Sequence, residues 1–215
     1  MLRFKSIIII LFALLPTMTF AQKDANAKKV LDSTSAIFSS AKGIRASFTI
    51  QNYQRNKLIG KSNGTILLKG NKFQVNTPEM ICWFNGKTQW TYVVRNEEVN
   101  VANPTSEELQ NINPYVFLNL YKQGFNYRMG KNASKNGKNV YEIILSAENT
   151  KQNLSNVTIY IAKGDYKPLE MILTTHNNTS SRISISSFNK NVTLPENTFV
   201  FNKNKYPKAE IIDLR

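Results

Sequence analysis

The chain has one cysteine and one histidine in 215 residues, and 14 acidic residues against 28 basic ones. Each scarcity excludes something. Cys82 has no second cysteine to pair with, so the fold must stand without an intramolecular disulfide. Its expected role is that of a small buried hydrophobe. His176 falls in the turn His176-Asn177-Asn178-Thr179, and one His with one Cys does not supply the ligand set of a zinc site. No Gly-x-Ser-x-Gly elbow, P-loop or GxGxxG is present. The acids are dispersed. Glu97-Glu98 sits at a turn and Glu107-Glu108 at a helix start, and nothing marks a carboxylate pair for glycoside hydrolysis. On these residues enzyme is the weaker class, and no metal site is expected.

Long apolar runs are also lacking. Ile7–Leu15 is followed by Pro16, preceded by Arg3 and Lys5, and closed by Thr19-Phe20-Ala21. That is the layout of a secretory signal peptide over residues 1–21, too short to span a bilayer. No cysteine lies near the cleavage site, so acylation there is not expected. Residues 22–215 are then one exported domain, placed best in a bacterial periplasm and long enough for a substantial core. Losing Arg3 and Lys5 takes the formal charge from +14 to +12. The basic residues are scattered through turns rich in Asn and Gly. They favour solubility, or contact with an acidic partner or an anionic membrane surface. With no clustered basic stripe, nucleic acid is not expected.

What is plentiful is strand pattern. Phe73–Tyr92 reads as two or three strands joined by tight turns, with Asn85-Gly86 as a two-residue type I′ signal. Met80, Cys82 and Phe84 alternate with Ile81 and Trp83. Trp90 and Tyr92 alternate with Gln89 and Thr91. A sheet that caps a core on one side shows a cleaner alternation, so both faces here need cover.

Before this stretch, Asp24–Lys42 has helical spacing, with Ala27, Val30, Leu31, Thr34, Ile37, Phe38 and Ala41 on one face and Gly43 as the stop. Ile44–Tyr53 and Leu58–Lys69 follow as strands, with Gly60 and Gly64 suggesting curvature. After it comes the short strand Val99–Ala102. Thr105 and Glu108 then form a capping box at a helix start. Asn113-Pro114 opens a second short helix, Tyr115 to Tyr121, apolar nearly all round. Phe125–Gly130, Asn139–Ala147, Asn156–Lys163, Pro168–Thr175 and Arg182–Phe188 are spaced as consecutive antiparallel hairpins. Ala209–Leu214 is a candidate edge strand. The expectation is a mainly β fold: an incomplete antiparallel β-barrel of about 10–11 strands covered by short α-helices. Such a half-barrel either encloses a cavity for an amphipathic ligand or has a filled core.

The ordered set of pieces resembles the LolA family of periplasmic lipoprotein carriers over nearly all of the expected domain. The carriers of the likeness are the first helix, Ala46-Ser47-Phe48-Thr49, Gly64-Thr65-Ile66-Leu67-Leu68-Lys69, Phe73, Pro78 and Asn85-Gly86-Lys87-Thr88-Gln89-Trp90-Thr91-Tyr92, which is similar to the family's DGKxxWxY hairpin. The resemblance implies a half-barrel with a helical lid, no cofactor, and a monomer. It implies acylated lipoproteins as cargo, received from an inner-membrane ABC transporter and passed to an outer-membrane receptor or to the outer membrane itself. One departure stands out. The family's Arg-Pro, whose Arg tethers the lid, is replaced here by Gly70-Asn71, with Arg45 and Arg128 as candidate substitutes.

On that reading Phe48, Ile50, Ile66, Leu68, Phe73, Val75, Trp90 and Tyr92 line the concave wall, and Tyr115, Phe117, Leu118 and Tyr121 form the lid. The competing readings are a half-barrel lipid sensor, a carrier of another amphiphile such as a pigment, and a structural β-domain with a filled core. Sensors of this kind carry a second domain, whereas this chain ends at Arg215.

Overall fold

The computed structural model describes residues 23–105, 108–109, 116–122 and 124–215, with backbone alone at 116–118. The expected signal peptide and Tyr115 lie outside the described residues. Helix α1 (Ala25–Ser40) is followed by strands β1 (Ile44–Gln54), β2 (Lys57–Lys69), β3 (Lys72–Asn76), β4 (Met80–Phe84), β5 (Gln89–Val93) and β6 (Glu98–Ala102). A 3-10 helix, Val116–Lys122, leads into β7 (Phe125–Met129), β8 (Ala133–Lys135), β9 (Lys138–Ala147), β10 (Leu154–Ala162), β11 (Pro168–Thr175) and β12 (Thr179–Lys190). Two short 3-10 turns then precede β13 (Glu210–Asp213). The expected antiparallel half-barrel is what forms. It has 13 strands, slightly more than the spacing suggested, because the opening stretch splits into three and β8 is an extra flap on β9. Among the described residues, no helix is long and apolar enough to cross a membrane.

The sheet order is β13-β6-β5-β4-β3-β2-β1-β12-β11-β10-β9-β7. All ladders are antiparallel except β13 on β6. β13 and β7 are the two edges of this path, so the sheet curls without closing. Its central seam joins β1 to β12, strands far apart in the chain. The two-residue turns obey the φ rule for hairpins. Arg55-Asn56 and Asn136-Gly137 both have positive φ at both positions.

Asn85-Gly86 does not form the expected two-residue turn. The β4–β5 ladder ends at Phe84 and Gln89, leaving a four-residue loop. Asn85 stays out of the left-handed region, and its Oδ1 accepts from Lys87 N at 3.0 Å and Thr88 N at 2.9 Å. The side chain thus supplies the acceptor that a tighter turn would take from the backbone. Gly70, at the site of the missing Arg, has φ +58 at the first position of the β2–β3 turn, a conformation in which glycine replaces a side chain most readily. Arg45 and Arg128 are both exposed.

Helix α1 packs against β7, β9, β10 and β11 through Ala27, Val30 and Leu31. It ends at Ser40, before the predicted stop. Gly43 serves another purpose: a Cβ there would lie 2.3 Å from Val192 O, so glycine admits the returning chain. At the helix start, Asp24 Oδ1 accepts from Asn26 N at 2.8 Å and Ala27 N at 3.1 Å. Its Oδ2 accepts from Met129 N at 3.1 Å, so one carboxylate caps α1 and fastens it to β7. These backbone donors, Met129 first, hold the Asp24 carboxyl below its usual range. A lowered folded value contributes stability above the ordinary aspartate pKa of about 3.9 and loses it as pH falls through the lowered value. Asp24→Ala is expected to lower stability by about 0.5–2 kcal/mol at neutral pH. Urea denaturation from pH 7 to pH 2 should show the gap between variant and wild type closing in acid.

Candidate functional site

Residues opposite each other in an antiparallel ladder share a face. Pairs across neighbouring strands therefore build one continuous concave wall. Ile44, Ala46, Phe48 and Ile50 of β1 stand opposite Leu68, Ile66, Gly64 and Ser62 of β2. Leu68 and Ile66 in turn meet Phe73 and Val75 of β3, and these meet Phe84 and Cys82 of β4. On the other flank, β12 contributes Ile183, Ile185 and Phe188. A shift of register between Ser47 and Phe48 makes this possible. Without the extra residue, Phe188 would point away from Ile183 and Ile185.

The wall encloses a cavity of about 430 Å³. Its lining is apolar except along β5, where Gln89 and Thr91 face in. Phe38 of α1 covers one side and meets Phe188 edge-on at 5.5 Å. Pro168 and Met171 of β11 close the far side. The cavity exists because α1 fills only the half of the concave face above β7 and β9–β11. Burial pushes the Cys82 thiol up to about 11, partly offset by the Thr91 hydroxyl at 3.8 Å. The thiol is therefore protonated and unreactive at neutral pH.

Of the concave-wall residues expected from the sequence, Phe48, Ile50, Ile66, Leu68, Phe73 and Val75 line this cavity. Trp90 and Tyr92 do not. They pair with Trp83 and Ile81 and lie on the convex face. Cys82 pairs with Thr91, so a β4 that turns Cys82 inward must turn Thr91 and Gln89 inward too. The aromatic side of β5 is left outside, where the C-terminal segment covers it. Tyr206 stacks obliquely on Tyr92 at 4.8 Å and meets Trp83 edge-on at 5.7 Å. Phe201 meets Trp83 at 5.6 Å.

That covering segment is held by charge. Lys69 donates to Leu194 O at 3.1 Å and to Glu196 at 2.9 Å, and Lys72 also bonds Glu196. The two ammoniums, Lys72 first, hold the Glu196 carboxyl down to about 2.

The mid-chain helical segment divides into two roles. The predicted capping box is present: Thr105 N donates to Glu108 Oε2 at 2.7 Å, and Glu108 N donates back to Thr105 Oγ1 at 3.2 Å. Leu109 packs against the cavity cluster. Tyr121, expected in the lid, is instead an anchor. It is buried with α1 and β7, its hydroxyl donates to Asp32 Oδ1 at 2.6 Å, and its ring meets Tyr127 edge-on at 5.8 Å. Asn119 Oδ1 accepts from Ser35 at 3.2 Å. The segment is thus fastened to α1. Phe117 and Leu118 lie in this 3-10 helix, their side chains outside the described residues.

Sequence reading missed the seam contributors Ile183, Ile185 and Phe188, the polar pair Gln89 and Thr91, and Phe38. Phe38 and the β12 isoleucines did carry a signal, since each sits in an apolar periodicity. Among the described residues no group of His, Cys, Asp and Glu is arranged to hold a metal.

Gly64 is the tight point of the wall. A Cβ there would lie 2.5 Å from Phe48 Cζ and 2.7 Å from Asn76 O. Gly64→Ala is expected to cost roughly 1–3 kcal/mol through overpacking, measured by urea denaturation, and to displace the Phe48 ring.

The family model described as outer membrane lipoprotein carrier protein LolA matches residues 17–177. No curated protein matches significantly. Among solved structures, an uncharacterized conserved protein from Thermus thermophilus superposes with TM-score 0.60 at 13% identity, over 87% of this chain and 99% of that one. A LolA superfamily protein from Nitrosomonas europaea gives TM-score 0.45 at 13% identity, over 81% of this chain and 97% of that one. The lipoprotein LppX of Mycobacterium tuberculosis gives TM-score 0.49 at 11% identity, over 80% of this chain and 98% of that one. At these identities the likeness to the Thermus protein is one of fold, and the weaker superpositions add nothing to it. The family match spans α1 through β11 and so takes in most of the cavity wall. The chain belongs to the outer membrane lipoprotein carrier protein LolA family.

Proposed function

We propose that this protein is a periplasmic carrier that takes acylated lipoproteins from an inner-membrane ABC transporter and brings them to the outer membrane. The observation that carries the reading is the apolar cavity of about 430 Å³ between the curled sheet and α1. An acyl chain in water is disfavoured by ~0.8 kcal/mol per CH₂. A carrier has to hide most of that surface and still release it, so closure over the cavity has to be marginal, a matter of a few kcal/mol. On this reading Phe48, Ile50, Ile66, Leu68, Phe73 and Val75 hold the chain. Tyr115, Phe117 and Leu118 form the moving cover, and Tyr121 is the fixed end about which it moves. Residues 1–21 are a cleaved export signal. The work is binding and release, with no covalent step and no cofactor.

A second reading is carriage of another lipid. The same apolar lining would accept it. Mass spectrometry of what copurifies from the native periplasm separates the two: triacylated lipoprotein supports the first, and free lipid or pigment the second.

Phe48→Glu places a charge against the apolar wall, and Leu118→Glu places one in the proposed cover. Both are expected to leave a folded protein that no longer copurifies with lipoprotein. Tyr92→Phe, on the convex face, should copurify as wild type does. Lipoprotein binding that survives Phe48→Glu and Leu118→Glu together would overturn the cavity assignment.

A further inference from the structure

Among the described residues, Leu58 and Ile59 are the two large apolar side chains that stand exposed side by side, at 48% and 60%. They lie at the start of β2, beside the Arg55-Asn56 turn of the β1–β2 hairpin. The ladder skips Ile59: Gly60 pairs with Asn52, and Leu58 with Tyr53. Such a bulge bends the strand and re-aims its side chains. β3 pairs only with residues 65–69, so the outer half of β2 has an open edge. The other flank of the tip is braced. Arg55 N donates to Asn178 O at 3.1 Å, and the Arg182 guanidinium lies 6.0 Å from the centre of the Tyr53 ring.

Charge at this tip has one sign. No acid occurs between Asp32 and Glu79 or between Glu170 and Glu196, the stretches that supply β1, β2 and β12. Arg55, Lys57 and Lys61 are all exposed. Glu79 meets β2 further from the tip, where its Oε2 accepts from Ser62 Oγ at 2.7 Å. Ile211 on β13 is also exposed, at 49%, but it stands between Glu210 and Asp213. Exposure alone therefore does not define the patch; its basic surroundings do.

We propose that the tip of the β1–β2 hairpin docks on an anionic lipid bilayer. Leu58 and Ile59 enter the interface, and Arg55, Lys57, Lys61 and Arg182 meet the lipid phosphates. Apolar side chains beside basic ones bind such a surface through buried apolar area and electrostatic attraction together. A strand of a partner protein is the other occupant that an open edge invites. Lys57, Lys61 and the bulge at Ile59 all discourage strand addition. A bilayer needs no ladder, and it covers a projecting tip from every side. The tip lies roughly 17 Å along β1 from Ile50 of the cavity wall, at the ordinary strand rise. Docking there brings the cavity close to the membrane while its wall stays outside the lipid. The proposal is independent of which lipid the cavity carries.

The test is cosedimentation of the protein with vesicles of phosphatidylcholine alone and of an equal mixture with phosphatidylglycerol, at low and at high salt. Wild type is expected to bind the mixed vesicles and to lose most of that binding in high salt. Lys57→Gln with Lys61→Gln should weaken it about fivefold for each charge removed. Leu58→Thr with Ile59→Thr keeps strand propensity and removes apolar surface, and should weaken it roughly tenfold or more. Ile211→Thr, exposed but flanked by acids, should bind as wild type does. All five positions are exposed, and urea denaturation checks that each variant folds. Failure of wild type to bind the mixed vesicles, as when the true partner is an acidic protein, would overturn the proposal. So would binding that survives Leu58→Thr with Ile59→Thr, or that is the same at low and high salt. None of these results touches the acyl cavity, whose own test is copurification.

Discussion

A strand that is apolar on both faces is stable in water only when both faces are covered, and β4 imposes that requirement here. Met80 and Cys82 look into the concave side, while Ile81 and Trp83 look out. The outer face is closed by a segment that has little regular structure of its own. It is held by Phe201 and Tyr206 against Trp83 and by Glu196 between Lys69 and Lys72. Those ion pairs are exposed, so their contribution is positional more than energetic. The aromatic contacts supply the burial, and the lysines set where the segment lies. β13 then adds to β6 as the last strand of the sheet. With the convex side sealed in this way, the concave side is free to remain partly empty.

The concave face is divided between structure and site. Above β7 and β9–β11 it is filled by α1, with Ile143, Leu145, Val157 and Ile159 fully buried beneath the helix. Above β1–β4 and β12 it is not filled, and the cavity remains. Phe38 and Ile183 pack against both clusters and mark the border. A packed core and the wall of an apolar cavity are made of the same residue types, and the difference between them is whether a helix lies on top. The mid-chain segment reinforces the division. Tyr121 and Asn119 bind it to α1, over the filled half, while Leu109 reaches the cluster around the cavity.

Phe48 shows how closely the wall is made. Its ring lies over Gly64 because glycine leaves the space, and the curvature that strand glycines permit is the curvature the half-barrel needs. The same strand meets β12 through a register shift beside Ser47. Each is a local departure from regular pairing, and together they keep Phe48 and Phe188 on the same face as their neighbours. The polar exceptions, Gln89 and Thr91, are confined to the strand at the end of the wall, which gives the cavity an orientation as well as a volume.

The sequence by itself determined the class of fold, the first helix, nearly every strand, and the Thr105–Glu108 capping box, because these depend on local periodicity and on side chains that bond their own neighbours. It also determined six of the wall residues, since Phe48 and Ile50, Ile66 and Leu68, and Phe73 and Val75 each alternate cleanly within one strand. Only the tertiary structure decided the face of β5. Taken alone, its aromatic face is the one that asks for a core, and pairing with β4 overrode that by turning Trp90 and Tyr92 outward beneath the C-terminal segment. The seam of β1 with β12, and the bulge that brings in Phe188, join residues far apart in the chain, and no local pattern encodes them. Tyr121 looked like a lid residue because its segment is apolar all round. Its role as an anchor follows from Asp32, a partner reached only once the helix and the sheet are in place.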